Sequence, residues 1–520
     1  MSRPELKAHA FFGRIYLSYM PRVIADSILS VNGRVVLAGD AKAAESICAQ
    51  LEGCQEITLP GKASGPGFVD AHMHLTGVGL QLNTLDLRDV GSLAELREKV
   101  RRFIEERNPP VVIGRGWDHE KIAERRFITR YDIDEVVPDR PAILVRICGH
   151  VGTLNTYALR LLKVDSMSGN PDVDVGPDGQ PTGIVKEDLL LRALRSLEPP
   201  PEEYINYVVD AANLLISQGV TTVGFMNTPI RLLPWLIEES GRRLRVRLRL
   251  YLDQDAIDQL EALGIRGGFG NEWVSIMGIK VFADGSLGAR TALLSEPYND
   301  APETLGRRNV SPDQLSALVR RARRLGLDVA VHAIGDGALD LVLSSMGPAR
   351  DSVRIEHASI VRDEQLPLLK GVRVSVQPMF VIEDRGWLAS RLGEGRLRLA
   401  YRFRSLISHG ALLGLSTDAP VEPTDPWMTV YAAVNRGRPE GCRLAELTPH
   451  EALTVDEALY LYTSGSAAVL KDSRVGSLLP GSLADIASFS KDPFEVTDPV
   501  ELRNVRNVAT YVGGEPAYRA

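Results

Sequence analysis

Nowhere in these 520 residues do 18 apolar residues follow one another, the run a helix needs to cross a bilayer. The first residues also lack a basic segment followed by an apolar core and a cleavage site, so the expectation is a cytoplasmic protein without a membrane partner. Cysteine is scarce. Cys48, Cys54, Cys148 and Cys442 have neither zinc-type nor disulfide-framework spacing, which leaves free thiols as the expected state. Positive charge is not in excess either, because 67 acidic residues outnumber 60 basic ones and give a formal net charge of −7. Phosphate binding needs a concentrated positive field, so nucleic acid is not an expected partner. The arginine pairs 320–321 and 323–324 read as the solvated face of a helix. Lysine supplies only 11 of the 60 basic side chains, and there are nine histidines in all.

Two of those histidines stand one residue apart at the end of an apolar run, Gly67-Phe68-Val69-Asp70-Ala71-His72-Met73-His74. Alternate side chains of a strand share a face, so a strand here would point His72 and His74 the same way. Such a pair offers two imidazoles to one metal, and a catalytic site needs further ligands plus an open position. Alone, such a pair is more often two packed or polar histidines than a metal site.

The surrounding chain has a legible order. Residues 11–16, 25–31, 34–38 and 56–59 read as short strands, with a helix over 41–51. Asn32-Gly33 marks a hairpin, because both residues tolerate positive φ. Similar turn-and-strand patterns over 476–489 and 505–513 suggest a small β-sandwich built from both chain ends, 1–66 and 470–520. Between them strands alternate with amphipathic helices. With the run holding His72, strands are expected at 220–225, 245–252, 275–282, 328–333, 353–357, 372–377 and 411–416. Eight strands joined by helical crossovers predict an α/β fold, a (β/α)8 TIM barrel over 67–469, with a doubly wound open sheet as the alternative. The stretch 85–200 is too long for one crossover and reads as a pocket-forming insertion after the first strand.

In such a barrel the chemistry sits where strands end. The polar residues there are few: His72, His74, Lys280, His332, His357 and Asp418. Each alone has a bland explanation, such as a structural histidine or a helix-capping aspartate. Six together at apolar strand ends point to a divalent metal, with zinc the natural choice and one or two ions. Lys280 is the least expected member. Buried among apolar residues, its amine should lose its proton easily and could take up CO2 to form a metal-bridging carbamate. An ion pair with an acid such as Asp284 is the alternative.

This set of residues resembles the metal centre of the amidohydrolase superfamily. The phrases Gly149-His150-Val151-Gly152-Thr153-Leu154-Asn155, Asp284-Gly285-Ser286-Leu287-Gly288-Ala289-Arg290, His332-Ala333-Ile334-Gly335-Asp336 and Thr417-Asp418-Ala419-Pro420 are similar to its amidohydrolase-3, or YtcJ-like, branch, which includes N-substituted formamide deformylases. One departure is Gly337, where relatives often carry arginine. The resemblance implies that His72 and His74 hold one metal, His332 and His357 a second, with carboxylated Lys280 between them and Asp418 on the first. It implies hydrolysis of amide, N-formyl or cyclic amide C–N bonds by a metal-activated water, with Asp418 as the acid–base group. A deaminase on the same barrel is the alternative, and a non-catalytic scaffold relative a lesser one. Trp117, His150, Asn155, Glu187, Asp284 and Arg290 are candidate substrate contacts, Glu187 being also a candidate ligand or an ordinary helix-start residue. The expected partner is a small-molecule substrate, and a homodimer is a reasonable default.

Overall fold

The computed structural model describes residues 6–148, 150–164, 167, 169–347 and 349–520; Gly149 of the motif above lies outside them. Its central sheet consists of Phe68–Met73, Val220–Thr228, Arg247–Asp253, Val274–Phe282, Asp328–Ala333, Val353–His357, Arg373–Val376 and Leu412–Leu415. They pair in parallel in this same order. These are the eight strands anticipated from the apolar runs. Beyond the last strand, Asp418 donates its backbone N–H to His72 O at 2.9 Å and His74 donates to Ala419 O at 2.8 Å. The sheet is therefore a nearly closed barrel and not the open doubly wound alternative.

Helices cover the outside of the sheet. Pro312–Arg324 shows why they form where they do: Ser311 and Gln314 make a capping box, a proline occupies the first turn, and Leu315, Val319 and Ala322 are buried.

Both chain ends contribute to one further sheet. Ala8–Tyr19, Arg22–Val31, Arg34–Gly39, Gln55–Thr58 and Ala63–Pro66 join Ile486–Phe489, Asn507–Val512 and Glu515–Arg519 in a single eight-stranded network. Where the sequence predicts a sandwich, the two ends share one continuous hydrogen-bonded sheet, packed on Phe11, Ile28, Leu59, Ile486 and Tyr511. The hairpin between Arg22–Val31 and Arg34–Gly39 turns at Asn32 and Gly33, with φ of 48° and 80°. The seam between the two ends runs along Ala63–Pro66 and Ile486–Phe489, where the hydroxyls of Ser64 and Ser488 lie 2.8 Å apart.

The free-thiol expectation needs correction at one pair. Cys48 ends the helix Ala41–Cys48, and the chain doubles back so tightly that Cys54 comes within 5.4 Å (Cα to Cα) and forms a disulfide with it. Cys148 and Cys442 are free.

Residues from Thr76 to Ala211 form a second compact unit, wider than the expected 85–200 insertion. This unit has its own six-stranded sheet. One of its apolar clusters is centred on Leu96, Val112, Trp117 and Ile133, and another on Ile143, Leu154, Val185 and Leu190. Among the described residues no helix is long and apolar enough to cross a membrane.

Candidate metal centre

The first barrel strand delivers His72 fully buried and leaves His74 about a quarter exposed. Their Nε2 atoms each lie 3.2 Å from the same oxygen, Asp418 Oδ1, and the three ligand atoms lie within 4.8 Å of one another. That oxygen is buried and accepts no hydrogen bond. The imidazole rings then continue as a chain: centroids are 5.5 Å apart from His74 to His72, 5.0 Å from His72 to His357, and 4.4 Å from His357 to His332. Lys280 places its Nζ 3.3 Å from His72 Nε2. All six residues singled out at strand ends are thus joined by contacts at one end of the barrel.

Three of these rings are held from behind by acceptors. His72 Nδ1 lies 2.6 Å from Glu356 Oε2. The Nδ1 of His357 lies 2.8 Å from Gln377 Oε1, and His332 Nε2 lies 2.9 Å from Gly285 O. A carboxylate, an amide oxygen and a carbonyl can only accept, so each fixes a proton on the rear nitrogen and leaves the front one as a lone pair. The front nitrogen of His357, Nε2, is buried and has no hydrogen-bond partner. His357 and Asp418 also adopt φ of 78° and 58°, a left-handed conformation costly for such residues that persists at functional sites. Orphaned, buried lone pairs on imidazole and carboxylate fit a divalent cation of the zinc type.

Electrostatics agree with that fit. Burial lowers the His332 imidazole to about 3, reinforced by Lys280, and pushes His357 well below its ordinary range, so both are neutral. Burial lowers the Lys280 amine to about 8. For Glu356 burial alone would raise the carboxyl, but Arg354 and then His72 hold it well below the usual range. Arg354 Nε is 2.6 Å from Glu356 Oε1, and both side chains are fully buried. Asp70, inside the same apolar run as the histidines, is raised by burial to about 6; it accepts hydrogen bonds from Thr417 and Tyr462 and so ties the first strand to the segment carrying Asp418.

The centre opens into a cavity of about 420 Å3. His74, His332, His357 and Asp418 form one side, and Phe282, Phe380, Trp387 and Tyr401 supply aromatic walls. Asp384 and Glu422 line it as well. Lys280 and Phe282 also border a second cavity of about 650 Å3 with Asn227, Asp253 and Asn309.

Other expected contacts are spent elsewhere. Trp117 is fully buried in the core of the second unit and donates its indole N–H to Leu144 O, so it offers no face to a ligand. Asn155 caps the helix Thr156–Leu161 and donates to Val137 O and Arg140 O, which uses up its amide. His150 and Glu187 are exposed and face each other at 3.1 Å, with Glu187 opening the helix Glu187–Ser196. Asp284 does not pair with Lys280; its carboxylate accepts backbone N–H groups from Leu293, Ile334 and Gly335 and clasps the loops after two neighbouring strands. Arg290 is held by Asp300 at 3.0 Å through two hydrogen bonds. At Gly337 an added Cβ would meet Leu293 O at 3.0 Å, so the departure from arginine accompanies close backbone packing.

Sequence reasoning passed over Glu356, Arg354 and Gln377. The signal was present: Arg354 and Glu356 are charged residues two apart in an otherwise apolar strand, which places both on one face of it. Asp384 and Glu422, in loops, had no comparable pattern.

A parallel barrel thus gathers imidazoles, a lysine and a carboxylate at one end of its strands, a donor set able to hold a metal ion. The Amidohydro_3 profile, described as the amidohydrolase family, matches residues 55–518, and the chain belongs to that family. It is 33% identical to YtcJ of Bacillus subtilis (strain 168) over 492 residues, 89% of this chain and 90% of that protein. With an N-substituted formamide deformylase of Arthrobacter pascens it shares 26% identity over 536 residues, 95% of each chain. The crystal structure of an uncharacterized metal-dependent hydrolase from Pyrococcus furiosus matches with a TM-score of 0.84 and 40% identity, covering 94% of this chain and 100% of that one.

Proposed function

We propose that this chain hydrolyses a non-peptide C–N bond, in an amide, N-formyl or cyclic amide substrate, using divalent metal held by His72, His74, His332, His357, Asp418 and a carboxylated Lys280. The supporting observation is the convergence of His72, His74 and Asp418, next to two more imidazoles, with the rear ring atoms of His72, His357 and His332 pinned by Glu356, Gln377 and Gly285. Zinc suits the imidazole-rich donor set. Bound there, the cation supplies Lewis acidity toward the scissile carbonyl and lowers the pKa of water.

The chain's own residues do the rest. Asp418, kept ionised although buried, has an oxygen positioned to take a proton from the attacking water and return it to the leaving nitrogen. Glu356 and Gln377 keep the imidazoles in the tautomers that present a lone pair. Phe282, Phe380 and Trp387 keep water away from one side of the cavity and give the substrate an apolar wall. A buried lysine 3.3 Å from His72 favours a hydrolase with a bridging group over the deaminase alternative.

The test is turnover of a panel of N-acyl and N-formyl amines by protein loaded with Zn2+, Mn2+ or Co2+. Amine and carboxylate products are expected, with Asp418→Asn lowering kcat by about 10^2 to 10^4. Release of ammonia from ring substrates alone, or full activity in Asp418→Asn, would overturn the reading.

A further inference from the structure

Glu422 is 5% exposed and lines the 420 Å3 cavity, yet it makes no hydrogen bond and no ion pair with any described residue. Buried carboxylates are ordinarily paired, because the desolvation of an unpaired one is costly. The charged groups acting on it are all acidic: Glu383, Asp384 and Asp418. Asp384 lines the same cavity; one of its oxygens accepts the Tyr401 hydroxyl, and the charged group acting on it is again acidic, Glu383. Two carboxyl groups therefore line the same cavity with no basic side chain acting on either, and burial raises them to about 8 and about 7. Aromatic side chains line the same cavity. Phe380 stacks on His357 with an interplanar angle of 14°, and Trp387 and Tyr401 also line the cavity. Carboxylates beside aromatic rings are the combination that receives organic cations, by charge pairing and by attraction to the ring faces.

We propose that Glu422 and Asp384 form a cation-selecting subsite, so that the substrate carries an ammonium, amidinium or guanidinium group in the part of the molecule that does not react. The inference rests on the hydrolase reading for the bond cleaved, but not for the binding. Glu422 is four residues beyond Asp418, so a cation seated on it would lie in the cavity that Asp418 also borders. A cation arriving there would draw off the protons the two carboxyls hold at neutral pH.

The probes are benzamidine, a planar cation, and benzamide, its neutral counterpart, titrated calorimetrically into the metal-loaded protein at pH 7.5 in two buffers of different ionisation enthalpy. Benzamidine should bind at least tenfold more tightly than benzamide and release protons to the buffer. In Glu422→Gln, and separately in Asp384→Asn, that preference should shrink at least fivefold while benzamide affinity stays within about twofold. Equal affinity for the two probes in the native protein would overturn the proposal, and so would an undiminished preference in both variants. The hydrolase reading fails by a different result, absence of turnover across the amide panel, which leaves the benzamidine preference untouched.

Discussion

The Nδ1 of His72 and the Oε2 of Glu356 lie 2.6 Å apart with both side chains fully buried. Glu356 is in turn bound by Arg354, so an arginine, a glutamate and a histidine form a line that ends on a lone pair. Partners of this kind fix ligand orientation and basicity, and their loss typically weakens metal affinity about 10- to 100-fold. Glu356→Gln should show that loss in a chelator competition titration. Unchanged affinity in a variant that still melts cooperatively would contradict the role.

Lys280 provides a pH test. Carbamate formation needs the neutral amine, and a pKa of about 8 instead of 10.5 makes that form about a tenth of the population at pH 7 and about nine-tenths at pH 9. Protein incubated with metal and 13C-bicarbonate should develop a carbamate carbon resonance that grows over this interval. Lys280→Arg should abolish it, since guanidinium stays protonated. Absence of the resonance at pH 9 in the native protein would remove the bridging carbamate from the mechanism.

Glu422 also sets a stability profile. Its carboxyl holds a proton up to about pH 8 when folded, whereas an exposed glutamate releases it near 4.5. Between those values unfolding releases a proton, so rising pH favours the unfolded state, and the penalty is complete above about 8. The Glu422→Gln variant does not carry this penalty. Its melting temperature relative to native should therefore increase from pH 5 to pH 9. A constant difference would mean that the native carboxyl is not held protonated by burial.

At Gly67 the packing leaves no room for a side chain. An added Cβ would come within 2.3 Å of Thr221 Oγ1 and 2.4 Å of Thr221 Cγ2. Gly67→Ala should cost about 1–3 kcal/mol in denaturant unfolding, the usual range for overpacking. Adding Thr221→Ala should recover most of it; equal destabilisation in the double variant would place the strain elsewhere.

The barrel was readable because each of its strands is an apolar run bounded by turns, and because histidine and lysine are rare enough that six polar strand ends stood out. His72, His74, Lys280, His332, His357 and Asp418 carry that signal in their positions. Trp117 and Asn155 misled for a physical reason: a tryptophan that packs a core and one that walls a pocket have the same sequence context, and so do an asparagine that caps a helix and one that binds a ligand. Glu422 and Asp384 could not be found, since nothing in a loop sequence tells a buried, unpaired carboxyl from a solvated one. The Cys48–Cys54 disulfide escaped notice because only the reversal of the chain after Ala41–Cys48 brings the pair together.

The seam at Ser64 and Ser488 joins residues 424 positions apart, immediately before the strand that carries His72. On a ribosome the barrel's first strand leaves the exit tunnel long before its neighbouring sheet segment can be completed. Contacts of such long range are entropically expensive to close and slow to form. The hairpin at Asn32-Gly33 can assemble early and wait, but Ala63–Pro66 stays without Ile486–Phe489 until almost all the chain has been made. The stretch leading into His72 is thus among the last to be locked, and the metal capture proposed for the paired histidines would be a late event in maturation.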